Sequence, residues 1–101
     1  MAKSVDELTV TWTDDDGTVT VRQMDKKILT KGAWATVMYL YQDLNRKSGD
    51  YGPAKIRIQR YQKRNGFYIP QSKFNISSVK QAGKIVQVLN DWIADLGDEE
   101  A

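Results

Sequence analysis

Apolar and polar side chains alternate early in this chain. Leu8, Val10 and Trp12 interleave with Thr9, Thr11 and Thr13, the period of two expected of a half-buried strand with threonines outward. Asp14-Asp15-Asp16-Gly17 supplies a turn, and Val19 and Val21, set between Thr18, Thr20 and Arg22, predict the returning strand of a hairpin. From Thr30 the period lengthens. Trp34, Val37, Met38, Tyr41 and Leu44 fall at helical spacing, so the pattern predicts a helix over 31–45 with Thr30 as N-cap, weakened at its start by Gly32. Ser48, Gly49, Asp50, Gly52 and Pro53 break that element and read as a connecting loop.

Alternation then returns. Ile56 and Ile58 lie between Lys55, Arg57 and Gln59, the strand runs on toward Tyr61, and Asn65-Gly66 is a strong hairpin signal. On the return, Phe67 and Ile69 are out of phase with Phe74 and Ile76, which predicts a bulge near Pro70, since proline cannot donate to a ladder. Ser78 with Gln81 fits a capping box, and Val79, Ala82, Ile85, Val86, Leu89, Trp92, Ile93 and Leu96 form the broad apolar stripe of a final helix ended by Gly97. The acidic tail 98–101 reads as frayed. The expectation is one α+β domain over residues 1–101: a hairpin and helix over 7–45, then a matching unit over 55–93, offset by about 48 residues. In the order β-β-α-β-β-α, both helices would cover one face of a curved antiparallel sheet.

Charge sharpens this picture. Lys+Arg is 15 against Asp+Glu 13, yet between Asp50 and Asp91 there is no acidic residue and eight basic ones: Lys55, Arg57, Arg60, Lys63, Arg64, Lys73, Lys80 and Lys84. A single-sign run of that density, interleaved with Tyr61 and Tyr68, suits a surface that holds phosphates and stacks bases, although a solvated face is the plainer reading of any charge run. If Ile56 and Ile58 point at the helices, Lys55, Arg57, Gln59, Tyr61 and Lys63 point outward together. Cross-strand packing is the alternative for Tyr61 and Tyr68. Phe67, Phe74 and the three tryptophans read as core, and Lys80 and Lys84 as the solvated side of the final helix.

The run Ile56-Arg57-Ile58-Gln59-Arg60-Tyr61, the turn ending in Gly66, Pro70-Gln71-Ser72-Lys73 and a strand leading through Ser77-Ser78 into an amphipathic helix resemble the single-stranded-DNA-binding domain of the transcriptional coactivator positive cofactor four. The likeness runs from Lys55 to about Ile93, within a broader superfamily that includes the Whirly and purine-rich-element-binding folds. It implies a sheet surface for unpaired DNA, with Arg57, Arg60, Tyr61, Lys63 and Lys73 as contacts, and a homodimer joined through the terminal helix. Ile56, Ile58, Ile85 and Leu89 would be core or dimer contacts. Two features depart from the family pattern: Phe74 stands where the family has glycine, and the helix expected over 31–45 interrupts four otherwise consecutive strands.

Chemistry narrows the alternatives. With no cysteine and no histidine, disulfides, thiolate metal sites and thiol or imidazole catalysis are excluded. Outside the acidic tail, Asp14, Asp15 and Asp16 are the one carboxylate cluster, and neighbours in a turn diverge, so no metal, cofactor or catalytic role is expected. No apolar run approaches a membrane span, and the polar start Met1–Glu7 is unlike a signal peptide, so a cytoplasmic, membrane-independent protein is the default. The reading is single-stranded nucleic-acid binding with little sequence preference, DNA before RNA, with transcription cofactor as one setting. Lys55, Arg57, Arg60, Lys63, Arg64 and Lys73 would meet phosphates, and Tyr61 and Tyr68 would stack. The rivals are an RNA-binding protein and a protein-interaction module with a basic face.

Overall fold

A computed structural model describes residues 2–97, leaving the tail 98–101 outside the described residues. Five strands form one antiparallel sheet in chain order: β1 (Trp12–Thr13), β2 (Val19–Thr30), β3 (Trp34–Asp43), β4 (Lys55–Arg64) and β5 (Phe67–Ile76). A single helix, α1 (Val79–Leu96), follows. The sheet is curled into a half-barrel. The α+β class stands, but the order is five strands and then a helix.

The expected helix over 31–45 is a strand. Every residue from Trp34 to Tyr41 is apolar or threonine, so a stripe at period 3.6 can be drawn through the run as readily as one at period two. The choice is made by packing and by stiff β-branched and aromatic side chains, which suit a pleated surface. Ala35, Val37, Tyr39 and Tyr41 are buried, while the residues between them are not. Thr30, expected as an N-cap, ends β2, and Gly32, at φ 126, belongs to the β2–β3 connection. The 48-residue correspondence between halves lapses with the helix.

Other local signals hold. Asn65 and Gly66 take φ 53 and 82, both in the left-handed region that the two central residues of a tight primed hairpin turn require. The β4–β5 register slips between Arg60, opposite Ser72, and Tyr61, opposite Pro70, so Gln71 is the extra residue of a bulge beside the proline. At the start of α1, the Ser78 hydroxyl accepts from the Gln81 N–H at 3.1 Å, and Gly97 ends the helix at φ 78. The Gln81 side chain reaches back to the Ser77 N–H, one residue earlier than a capping box prescribes.

The core lies on one face of the sheet. Directly paired residues share a face, so Ala35, Val37, Tyr39 and Tyr41 stand with Tyr61, Gln59, Arg57 and Lys55 of β4. Residues 2–11 cross this face as a strap. At one edge the Ala2 carbonyl accepts from the Tyr68 N–H of β5, at 2.8 Å; at the other the chain enters β1 beside β2. Val5, Leu8 and Val10 drop from the strap onto Ala35, Val37, Tyr39, Tyr61 and Tyr68. Each such side chain contributes about 1.5–3 kcal/mol by leaving water. The Lys26 ammonium holds the strap, donating to the carbonyl of Leu8 at 2.7 Å and to that of Val5. Glu7 closes the strap's own turn by accepting from the N–H groups of Lys3 and Ser4, which holds its carboxyl below the usual range.

The other face carries Met38, Leu40, Ile56, Ile58, Phe74 and Ile76, and among the described residues no helix covers it. The helix α1 leaves the end of β5, packs against the sheet chiefly there, and buries none of its residues. Its apolar stripe stands open, with Leu89 and Ile93 about half exposed and Trp92 61% exposed. The expectation that tryptophans and phenylalanines fill the core therefore fails for Trp12, Trp34, Trp92 and Phe74, all of them exposed. Three of the four lie on surfaces this chain does not cover by itself. Trp12 is the exception, on the basic face.

Candidate functional site

Strand alternation divides by face the six cations that lie on β4 and β5; Lys80 and Lys84 belong to α1. Lys55, Arg57, Lys63 and Lys73 share the face of Tyr41 and the strap, because Lys55 pairs with Tyr41, Arg57 with Tyr39, Lys63 with Tyr68, and Gln59 with Lys73. Arg60 and Arg64 alternate with them on β4 and fall on the opposite face, contrary to the expectation that all of these cations form one surface. The Arg60 guanidinium lies 4.7 Å from the Trp34 ring centre, and Arg64 donates twice to the Gln62 side-chain oxygen, at 2.8 and 3.0 Å.

On the basic face the four cations differ. The Lys55 ammonium is 2.9 Å from Asp43, and that hydrogen-bonded ion pair pushes its pKa up. A window without acids in sequence is thus not one in space. Arg57, Lys63 and Lys73 have no carboxylate partner among the described residues. The Arg57 guanidinium sits 4.9 Å from the Tyr41 ring centre, and its Nε donates to the Asn75 side-chain oxygen at 2.7 Å. Those contacts fix its plane and leave its terminal N–H groups for an anion. The Lys63 ammonium lies 5.6 Å from the Tyr68 ring centre, and Lys73 is exposed on β5.

The two expected stacking rings are structural. Tyr61 is 3% exposed and Tyr68 5% exposed, both under the strap. The Tyr61 and Tyr39 hydroxyls hydrogen bond at 2.7 Å; burial raises both above the usual phenol value, and that bond adds to the rise for Tyr39 and opposes it for Tyr61. The Tyr68 hydroxyl donates to the Gly32 carbonyl at 2.7 Å, tying β5 to the β2–β3 turn. Cross-strand packing, the alternative for these two residues, is what they do.

Beside the strap an open groove of about 440 Å³ runs between Glu7–Trp12 on one wall and Arg57, Gln59, Tyr61, Tyr68 and Pro70 on the other. Sequence reasoning missed the strap that makes this groove, because Leu8 and Val10 read as hairpin strand. It also missed Trp12, which pairs with Val21 in the ladder yet is 65% exposed and lines the groove. One signal was available: Trp12 precedes the turn Asp14–Gly17, where a side chain has fewest neighbours to cover it. Comparison with protein-family models, curated proteins and solved structures finds no match for this chain. Among the described residues, no cluster of acidic side chains suits a metal ion, and no helix is long and apolar enough to cross a membrane.

Proposed function

We propose that this chain binds unpaired nucleic acid, single-stranded DNA in the first place, with little sequence preference, on the basic face of its sheet. The observation that carries this reading is that Arg57, Lys63 and Lys73 share one face of the sheet, none paired with a carboxylate among the described residues, with Arg57 lining an open groove of about 440 Å³. Cations spaced along adjacent strands track a flexible phosphate backbone, and an open curled sheet admits splayed bases. The four long strands β2–β5 run consecutively into α1, the order implied by the resemblance to positive cofactor four. Its apparent interruption at 31–45 is gone. That likeness also supports a transcription-cofactor setting.

The same reading includes a homodimer. A folded 11.5 kDa monomer exposes about 5,800 Å² by the usual scaling, whereas this chain exposes 7488 Å². Its radius of gyration of 16.0 Å likewise exceeds the ~13 Å of a compact domain this size. The excess, about 1,700 Å² per copy, matches what each partner of an obligate dimer covers. Exposed large apolar side chains include Val79, Val86, Leu89, Trp92, Ile93 and Leu96 on α1, and Trp34 and Phe74 on the sheet face opposite the strap.

Titration of labelled oligothymidine against salt tests the reading. Three phosphate contacts per site give a log–log slope of about −2, and Arg57→Ala flattens it by about 0.7. Arg60→Ala, on the other face, leaves slope and affinity unchanged. Duplex of the same length binds more weakly, and an oligouridine competitor reports the preference between DNA and RNA. Equal affinity for duplex, or an Arg60 effect matching that of Arg57, rejects the assigned face.

A further inference from the structure

Four of the aromatic rings on the basic face, those of Tyr39, Tyr41, Tyr61 and Tyr68, are at most 5% exposed, so their planes are spent on the core. Trp12 differs from all four. It enters this face through its pairing with Val21, is 65% exposed, and shares the groove with Arg57 and Gln59. The other exposed tryptophans stand elsewhere, Trp34 on the opposite face against Arg60 and Trp92 on α1.

The Trp12 indole stands exposed in the groove that Arg57 also lines, and β1, the edge strand, is held on one side, by β2. Its ladder fixes the backbone, and the Thr20 hydroxyl donates to the Trp12 carbonyl at 3.4 Å. The ring is therefore presented by an anchored backbone. Indole offers the largest stacking surface of any side chain, and every nucleobase has a face to place on it. We propose that Trp12 is the base-stacking residue of the groove: a nucleobase of an unpaired strand lies on its indole while the adjoining phosphates meet Arg57 and Lys73. This rests on the groove being the nucleic-acid site. It names Trp12, from the N-terminal hairpin, as the residue that makes bases, and not merely negative charge, part of recognition.

Tryptophan emission separates the possibilities, because the three indoles lie on three surfaces. In Trp34→Phe/Trp92→Phe protein, Trp12 alone emits, and oligothymidine quenches it to a plateau; an abasic oligomer of equal length binds more weakly and quenches little. Trp12→Ala and Trp12→Leu each lower oligothymidine affinity by about 5- to 150-fold, with an unchanged salt slope and unchanged circular dichroism. If Trp12 emission stays constant at saturation, or both Trp12 variants bind as the parent does while Arg57→Ala still weakens binding, Trp12 is not the stacking residue and the groove reading survives. If Arg57→Ala is also silent, the groove itself is not the site, and both fall together.

Discussion

Trp92→Ala on α1 provides a quantitative check on self-association. Trp92 is 61% exposed in a single copy, and a tryptophan buries up to about 250 Å², so about 150 Å² of its surface remains to be covered by a partner. At about 25 cal/mol/Å² that amounts to about 4 kcal/mol if covering is complete, and about 2 kcal/mol if it is half complete. A two-fold dimer loses the contribution twice, so the dissociation constant rises by at least about a thousandfold. Alanine is the best helix former, and the change leaves Ser78 and Gly97 at the helix ends untouched. Loss of association would therefore not be loss of helix. Sedimentation equilibrium from sub-micromolar to tens of micromolar protein measures it, with Gln87→Ala on the polar side of α1 expected to associate as the parent does. A parent chain that stays monomeric over this range, or a Trp92→Ala chain that dimerises as tightly, refutes the assignment of the excess surface to a second copy.

Two further outcomes concern the face that serves as core. Tyr39 and Tyr61 titrate higher in the folded chain than in the unfolded one, so their contribution is complete below pH ~10 and is lost above it, at up to about 1.4 kcal/mol per pH unit for each tyrosine. Urea midpoints at pH 9, 10 and 11 should fall accordingly, and Tyr39→Phe/Tyr61→Phe should flatten the fall; an identical fall in that double variant would assign it to other groups. Lys26→Met removes the two hydrogen bonds that hold Val5 and Leu8 to the sheet and should cost about 1.5–3 kcal/mol, with amide exchange rising first in residues 2–10. Unchanged protection there would mean that the strap is held by its apolar side chains alone.

The sequence was most readable where a local rule admits one answer. Asn65-Gly66 dictates a tight hairpin whatever surrounds it, Pro70 forbids a regular ladder, and the stripe from Val79 to Leu96 suits no strand. Between Trp34 and Tyr41, by contrast, nearly every side chain is apolar, and periodicity has nothing to alternate against. Only pairing with β2 and β4 decides that segment. The candidate site suffered from a different ambiguity. Counting charges along β4 sums two faces, whereas the pleat sends Arg57 and Lys63 one way and Arg60 and Arg64 the other. Lys55 then loses its place to Asp43, a partner twelve residues away that a window read in sequence does not include.

The strap changes what a binding experiment on this face can mean. Tyr61 and Tyr68 are the aromatic residues the sequence singles out, yet both lie beneath Val5 and Leu8 in the only cluster of buried apolar side chains among the described residues. Tyr61→Ala would remove a buried ring and strand the Tyr39 hydroxyl without its partner. Truncation of a buried aromatic costs about 3–5 kcal/mol, a large share of the stability of a domain this small. Such a variant would lose nucleic-acid binding by unfolding and would look like proof of stacking. Arg57, Lys63, Lys73 and Trp12 share this face without belonging to the buried cluster, so their substitution changes the face's charge or its groove while the strap, the Tyr39–Tyr61 pair and the ladder persist. The face can serve as both core and binding surface because the strap covers only part of it. Stability is drawn from the covered rings, and under the proposed reading ligand contact would fall to the charged and indole groups that the strap leaves uncovered.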